Sequence, residues 1–261
     1  MAEAGGLYYE THGSADAPPL ILSSGLGGSA SYWAPNIPAL AEHFRVIAYD
    51  HRGTGRSDRA LPAVVTVEDL ADDIVLLMDA LEIERARIVG HAAGGVAALA
   101  LARKASDRLG KVAIVNGWIK ADAHFLRCFE ARLALLRHAG AEAFLRAQPI
   151  FLYPAEWISA HSAAIDAELP HQMSAFPGAE IMEKRIAALA AFDASDWIGT
   201  LTSPVLALCA GDDMLVPWTC TEALGAANAH IQTINTSWGG HACNVTAPGT
   251  FNRLVLEFLR S

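Results

Sequence analysis

Short apolar runs and amphipathic stretches alternate along the first part of the chain. Leu20–Ser23 and Arg45–Tyr49 are apolar runs bounded by turn residues, a pattern typical of buried strands. Thr66–Leu81 places apolar side chains on one face at spacings of three and four, which predicts a helix. Thr66 can cap that helix, with Asp69 in the position of a capping-box partner. Similar patterns predict strands at Gly6–Thr11, Ala86–Val89, Lys111–Val115, Pro204–Ala210 and Ile231–Ile234, and helices at Val96–Arg103 and Phe251–Leu259.

This alternation of strands and helices predicts a mostly parallel sheet covered by helices on both faces. The alternation stops between Trp118 and Ser195, where leucines and phenylalanines recur at helical spacing and prolines punctuate the chain. We therefore expect an α/β core domain formed by residues 1–117 and 196–261. Residues 118–195 are expected to form a helical lid inserted into it.

Composition narrows the class of protein. The chain has 261 residues, 52% of them apolar, and a formal net charge of −9. A chain this apolar has enough material for a core, which excludes intrinsic disorder. The acidic balance argues against nucleic acid as a partner, because binding to phosphates needs clustered Lys and Arg. The apolar fraction is also compatible with a homodimer.

The sequence gives no sign of a membrane or secreted protein. It has no apolar stretch of about twenty residues, and its first residues do not resemble a signal peptide. The four cysteines form no C-x-x-C pair, so we expect free thiols and a cytoplasmic protein. The histidines lack metal-ligand spacing, and we expect neither a metal nor a cofactor.

A glycine-rich turn follows the predicted strand Ala86–Val89. It reads Gly90-His91-Ala92-Ala93-Gly94. Except for the serine, this matches the G-x-S-x-G pattern of a nucleophile elbow, a strained turn that exposes a nucleophile above the sheet. The glycines are in place, but Ala92 occupies the position of the nucleophile. His91 is expected to pack beside the site.

Three further segments fit the same kind of site. Ser24–Gly28 follows the first buried strand, where backbone N–H groups of Leu26 and Ala93 could form an oxyanion hole. Asp213 follows the Pro204–Ala210 strand and His241 follows the last strand. This order of elbow, acid and histidine is that of the α/β-hydrolases, and it makes His241 a general base oriented by Asp213. We favour Asp213 over Asp212 because it lies four residues before a proline.

Several longer motifs resemble one family within this fold. The chain is similar to the RutD family in segments that span nearly its whole length: GLGGSASYW (25–33), YDHRGTG (49–55), VGHAAGG (89–95), VNGW (115–118), CFEAR (128–132), AQPIFLYPAEW (147–157), DDMLVP (212–217) and GGHACNVTAP (239–248). The resemblance implies hydrolysis of a small uracil-derived compound. It points to 3-aminoacrylate giving malonic semialdehyde and ammonia, or to carbamate giving ammonia and CO2.

Ala92 decides which mechanisms are open. A methyl group cannot attack a carbonyl, so a covalent intermediate on this residue is excluded. If the alanine is natural, His241 held by Asp213 could activate a water for direct attack on the substrate. If it replaces a catalytic serine, the chain is an inactive form of a serine esterase or enol-lactonase. A third alternative is a ligand-binding protein without catalysis. Cys243 is a weak alternative nucleophile.

A small anionic substrate requires positive charge in the pocket. Arg127 and Arg132 are the candidates, because a planar guanidinium matches a carboxylate. The other predicted pocket residues are Gly25, Asn116, Trp118, Tyr153 and Trp157.

Overall fold

The computed structural model describes residues 3–261, and in this part of the chain eight strands form one sheet. Their order is β1-β2-β4-β3-β5-β6-β7-β8. The first two strands pair antiparallel, and β3 to β8 run parallel. The strands are β1 (Glu3–Ala4), β2 (Leu7–His12), β3 (Pro19–Ser23), β4 (Arg45–Tyr49), β5 (Ala86–His91), β6 (Leu109–Val115), β7 (Val205–Ala210) and β8 (Ile231–Thr236).

Helices connect the parallel strands, and a long helical segment lies between β6 and β7. The helices are α1 (Ile37–Ala41), α2 (Val67–Ala80), α3 (Ala93–Lys104), α4 (Ala123–Leu152), α5 (Ala155–Ala175), α6 (Ala179–Ala191), α7 (Trp218–Ala227), α8 (Cys243–Thr246) and α9 (Pro248–Arg260). Helix α4 is interrupted at Gly140, whose φ of 85° lies in the left-handed region that favours glycine.

The central strands β3 to β7 are buried on both faces because alternate side chains enter two separate apolar clusters. Ile21 and Ile88 belong to the cluster shared with α2 and α3, whereas Leu22 and Val89 belong to the cluster shared with α1 and α9. A strand covered on both sides has no position for polar residues. This is why the central strands are mostly apolar, whereas β2 and β8 at the sides of the sheet carry polar residues.

The predicted fold is confirmed: the protein has a mostly parallel sheet with helices on both faces. The strand Arg45–Tyr49 has the predicted bounds, and Thr66 and Asp69 form the predicted capping box. The short strand β1 and the helices α1, α7 and α8 were not predicted. None of the described helices is long and apolar enough to span a membrane.

Residues 118–195 contain the three helices α4 to α6. Their helical content matches the predicted insert, and all three helices contribute side chains to one pocket, described below. Their role as a separate lid, and the domain bounds at 117 and 196, stay predictions.

Candidate active site

The parallel strands bring three connecting loops to the carboxyl edge of the sheet. The turn after β5 carries Ala92, the loop after β7 carries Asp213, and the loop after β8 carries His241. Ligands bind at this edge in open α/β sheets because the loops there converge. The sequence-predicted residues therefore lie in the region where a site is expected.

The turn after β5 has the strained backbone of a nucleophile elbow. Ala92 adopts φ 45° and ψ −105°, and its N–H donates to the carbonyl of Val115 at 2.8 Å. A Cβ on Gly94 would lie 2.1 Å from the carbonyl oxygen of Ser23, and one on Gly90 would meet Gly94 as closely. These contacts explain the glycines, because helix α3 packs directly against strand β3. The elbow geometry thus persists with a methyl group at its apex.

Asp213 and His241 form a buried hydrogen-bonded pair. The Nδ1 atom of His241 lies 2.8 Å from Oδ2 of Asp213, and both side chains are almost completely buried. The second carboxylate oxygen of Asp213 accepts the N–H groups of Leu215 and Val216 at 2.7 and 3.0 Å. Asp212 instead accepts the N–H of Gly240 at 2.9 Å. The carboxylate therefore has a fixed orientation and holds a proton on Nδ1, which leaves Nε2 of His241 able to accept one.

Two side chains hold the backbone of His241. Its carbonyl oxygen accepts a hydrogen bond from Nε2 of His91 at 2.8 Å and another from the side-chain amide of Asn116. Because His91 donates from Nε2, its Nδ1 carries no proton, and a Cβ on Gly25 would lie 2.8 Å from that nitrogen. His91 at the end of β5 and Asn116 after β6 thus position the loop that carries His241. Asn116 does not line the pocket, so it can act only through His241.

The glycine loop after β3 provides backbone donors. Among the described residues, the N–H groups of Leu26 and Ala93 have no hydrogen-bond acceptor. Gly28 donates to the carbonyl of Gly25 within the loop, and Gly94 donates from α3 to the carbonyl of Ser24. Leu26 lines the pocket, and Ala93 lies next to the lining residue Ala92. Both N–H groups are therefore free for a substrate oxygen. Their role as an oxyanion hole stays a prediction.

A buried arginine that the sequence analysis missed anchors this loop. Arg185, on α6, is 3% exposed and donates to the carbonyl of Leu26 at 3.1 Å, and its guanidinium lies 3.0 Å from Nδ1 of His51. His51 in turn contacts Ser23 at 3.1 Å. Burial lowers the pKa of Arg185 to about 10. The network joins the helical segment to the glycine loop, and no sequence motif marks it.

One pocket of about 300 Å³ contains Ala92 and His241. Four of the seven predicted substrate-binding residues line it, namely Gly25, Trp118, Arg132 and Tyr153. Further polar residues in its wall were not predicted as pocket residues, among them Gln148, Glu168, His171 and Gln172.

The other three predicted pocket residues lie outside the lining. Arg127 is exposed, because five residues along a helix rotate the side chain by about 140°, and Arg132 therefore faces the pocket while Arg127 faces away. Trp157 packs between the rings of Tyr153 and His161, with centroid distances of 4.5 and 4.0 Å. The side-chain amide of Asn116 donates to the backbone carbonyl of His241.

Arg132 is a buried cation without a carboxylate partner among the described residues. Its side chain is 3% exposed and lies against the rings of Phe129, Phe144 and Phe151. Its one polar contact is Oε1 of Gln148 at 3.5 Å, and its Nε has no partner. Burial lowers the pKa of Arg132 to about 10, so the group is still charged at neutral pH. An unpaired buried charge is costly, and a bound anion would relieve that cost.

The remaining candidate chemistry is weaker. Burial raises the pKa of the Cys243 thiol well above its ordinary value, which disfavours the reactive thiolate. Within the described residues, no cluster of His, Cys, Asp and Glu has the arrangement of a metal site.

Comparison with known proteins agrees with this geometry. The family model for the alpha/beta hydrolase fold matches residues 18–152. A solved enol-lactonase from Burkholderia xenovorans LB400 is 27% identical and superposes with a TM-score of 0.90, with 100% of this chain and 99% of that one covered. The fold and the site therefore define an α/β hydrolase.

The sequence relatives define the family within that class. A protein described as "Putative carbamate hydrolase RutD" from Caulobacter sp. (strain K31) is 51% identical over 97% of this chain and 96% of its own. A protein with the same description from Variovorax paradoxus (strain S110) is 47% identical, with the same coverage. The chain belongs to the RutD family.

Two buried histidines make the stability depend on pH. Burial, together with His241 for His91 and Arg185 for His51, lowers both pKa values well below 6.5. Protons therefore bind mainly to the unfolded chain. The contribution of these two histidines to the free energy of unfolding should be fully present above about pH 6.5. Below that pH the free energy of unfolding should fall by about 1.4 kcal/mol per pH unit for each histidine.

Urea unfolding between pH 5 and 8 measures this dependence. His91→Gln should reduce the slope below pH 6.5, because glutamine does not titrate. The exposed His138 provides the matched control, and His138→Gln should leave the slope unchanged. Equal slopes for the wild type and His91→Gln would contradict the assignment of a neutral His91.

Proposed function

We propose that the protein hydrolyses 3-aminoacrylate to malonic semialdehyde and ammonia, using a water activated by His241 and Asp213. The observation that carries the proposal is the intact Asp213–His241 pair facing a pocket that has a methyl group at the nucleophile position and an unpaired Arg132 in its wall. The first feature supports base catalysis, the second excludes an acyl-enzyme on residue 92, and the third favours a carboxylate substrate.

The proposed reaction proceeds through the imine tautomer of the substrate. As the water oxygen bonds to C3, Nε2 of His241 takes the proton that leaves the water, and the C=N electron pair moves to nitrogen. His241 then passes this proton to the nitrogen, which gives the neutral carbinolamine. The carbinolamine then breaks down. Nε2 of His241 takes the hydroxyl proton as the C=O bond forms, and it returns this proton to the amino group, so that the C–N bond breaks and ammonia leaves. Imines are reactive electrophiles, so no covalent enzyme intermediate is needed.

Arg132 would hold the substrate carboxylate during these steps. The free N–H groups of Leu26 and Ala93 would serve as donors to the substrate carboxylate or to the negative charge that develops on the substrate. Carbamate is the second candidate substrate, because the similar proteins from Caulobacter and Variovorax carry it in their description. It is also a small anion, and the same groups could bind it.

The catalytic pair can be tested with 3-aminoacrylate generated in situ. His241→Ala should reduce the enzyme-dependent rate of ammonia release by about 100-fold or more, because a positioned general base contributes factors of that size. Asp213→Asn should reduce it similarly, because the amide no longer stabilises the imidazolium. His138→Gln is the control and should keep the wild-type rate. Full activity in His241→Ala would disprove the water-activation mechanism.

Ala92→Ser separates this mechanism from that of a serine hydrolase. The wild type should release ammonia from aminoacrylate and show no burst of p-nitrophenol from p-nitrophenyl acetate. The serine variant should gain ester hydrolysis, because the elbow and the His241–Asp213 pair are in place. Ammonia release that appears only in the serine variant would overturn the proposal and favour an esterase or lactonase. Binding without turnover by either form would favour a ligand-binding protein.

Arg132 should control substrate affinity. Arg132→Gln should raise KM by about 10- to 100-fold with a smaller change in kcat, since charged hydrogen bonds contribute about 1.5–3 kcal/mol. Arg127→Gln removes the same charge from the exposed face of the same helix and should leave KM unchanged. Equal effects of the two substitutions would show that general charge, and not a carboxylate site at Arg132, determines affinity.

A further inference from the structure

The pocket is larger than the proposed substrate. Its volume of about 300 Å³ lies at the lower end of the range that accommodates drug-sized ligands. A three-carbon acid such as 3-aminoacrylate fills only a minor part of such a space. The rest of the pocket therefore has no counterpart in the small substrate.

Much of the pocket wall is apolar. The side chains come from the helical segment between β6 and β7, and they are Phe125, Phe129, Leu145, Phe176, Met182 and Leu189. None of these side chains is a hydrogen-bond donor. Most of them are largely buried by their neighbours and show only part of their surface to the pocket. An apolar ligand group that covered this part would remove it from water at about 25 cal/mol per Å².

Charge in the lining occurs at two positions. Among the described lining residues, Arg132 is the one with a permanent positive charge and Glu168 is the one acidic side chain. Glu168 is exposed on α5, whereas Arg132 is buried against three phenylalanine rings. The guanidinium of Arg132 therefore lies next to the apolar wall, because Phe129 both lines the pocket and contacts this guanidinium.

We propose that this pocket binds carboxylic acids that carry an alkyl or aryl group of several carbons, and that the substrate class extends to 3-aminoacrylates substituted with such a group. The carboxylate pairs with Arg132, and the apolar group lies against Phe129, Phe176 and their neighbours. The substrate part rests on the proposed function and uses the same chemistry. Water oxygen replaces nitrogen at C3, ammonia leaves, and a substituted 3-oxo acid forms.

Binding can be measured without turnover. Isothermal titration of the intact protein with acetate, butanoate, hexanoate and octanoate should show affinity rising by up to about fourfold per added methylene group, until the apolar wall is covered. Arg132→Met should weaken every member of the series, and Arg127→Met should weaken none. An affinity that does not change with chain length would overturn the proposal.

A wall variant tests where the chain binds. Phe176 is half-buried, so Phe176→Ala should fold, and it should lower the affinity for hexanoate while leaving that for acetate unchanged. Equal loss for both acids would contradict an apolar subsite at this position. The chain-length series on the wild type supplies an independent result if the variant is unstable.

Turnover of a bulkier substrate completes the test. Ammonia release from 2-butyl-3-aminoacrylate, with a lower KM than for 3-aminoacrylate, would support the extended substrate class. Turnover of 3-aminoacrylate together with a flat binding series would overturn this inference alone. A rising binding series with no ammonia from either substrate would overturn the proposed function and, with it, the substrate part of the inference.

Discussion

The position of His241 depends on hydrogen bonds that reach it from three different strands. Asp213, after β7, fixes its imidazole, while His91 at the end of β5 and Asn116 after β6 hold its backbone carbonyl. Because both the side chain and the backbone of His241 are held, its position does not depend on a hydrogen bond to a hydroxyl group at residue 92. The site therefore keeps the geometry of a hydrolase although Ala92 removes its usual nucleophile.

The same structure resolves an apparent conflict of charge. A net charge of −9 should repel a small anion, yet the charge that a bound ligand meets is set by its nearest neighbours. Arg132 is buried among phenylalanine rings and has no carboxylate partner in the part of the chain that the structure describes. Its field is weakly screened there, because the surroundings have a low dielectric constant. One unpaired guanidinium can thus offset a distributed surface charge.

The buried arginine on α6 has a different role. Arg185 forms hydrogen bonds with the carbonyl groups of Leu26 and Arg52 and with Nδ1 of His51. Its guanidinium is therefore less available to a ligand than that of Arg132. It connects the helical segment to the glycine loop. The two buried arginines of this segment therefore separate into one that supports the loop and one that faces the pocket.

Local patterns in the sequence determined most of the strands, the capped helix α2, the elbow and the order of the loops that carry Ala92, Asp213 and His241. Strands buried on both faces must be apolar runs, and a tight strand-to-helix turn must contain glycine. These features can therefore be recognised from the local sequence alone. Which residues of the helical segment line the pocket was decided by tertiary structure. Arg127 and Arg132 look alike in the sequence, but helical rotation turns one to solvent and the other to the pocket. Arg185 became buried through contacts with residues more than a hundred positions away, and no local pattern records such contacts.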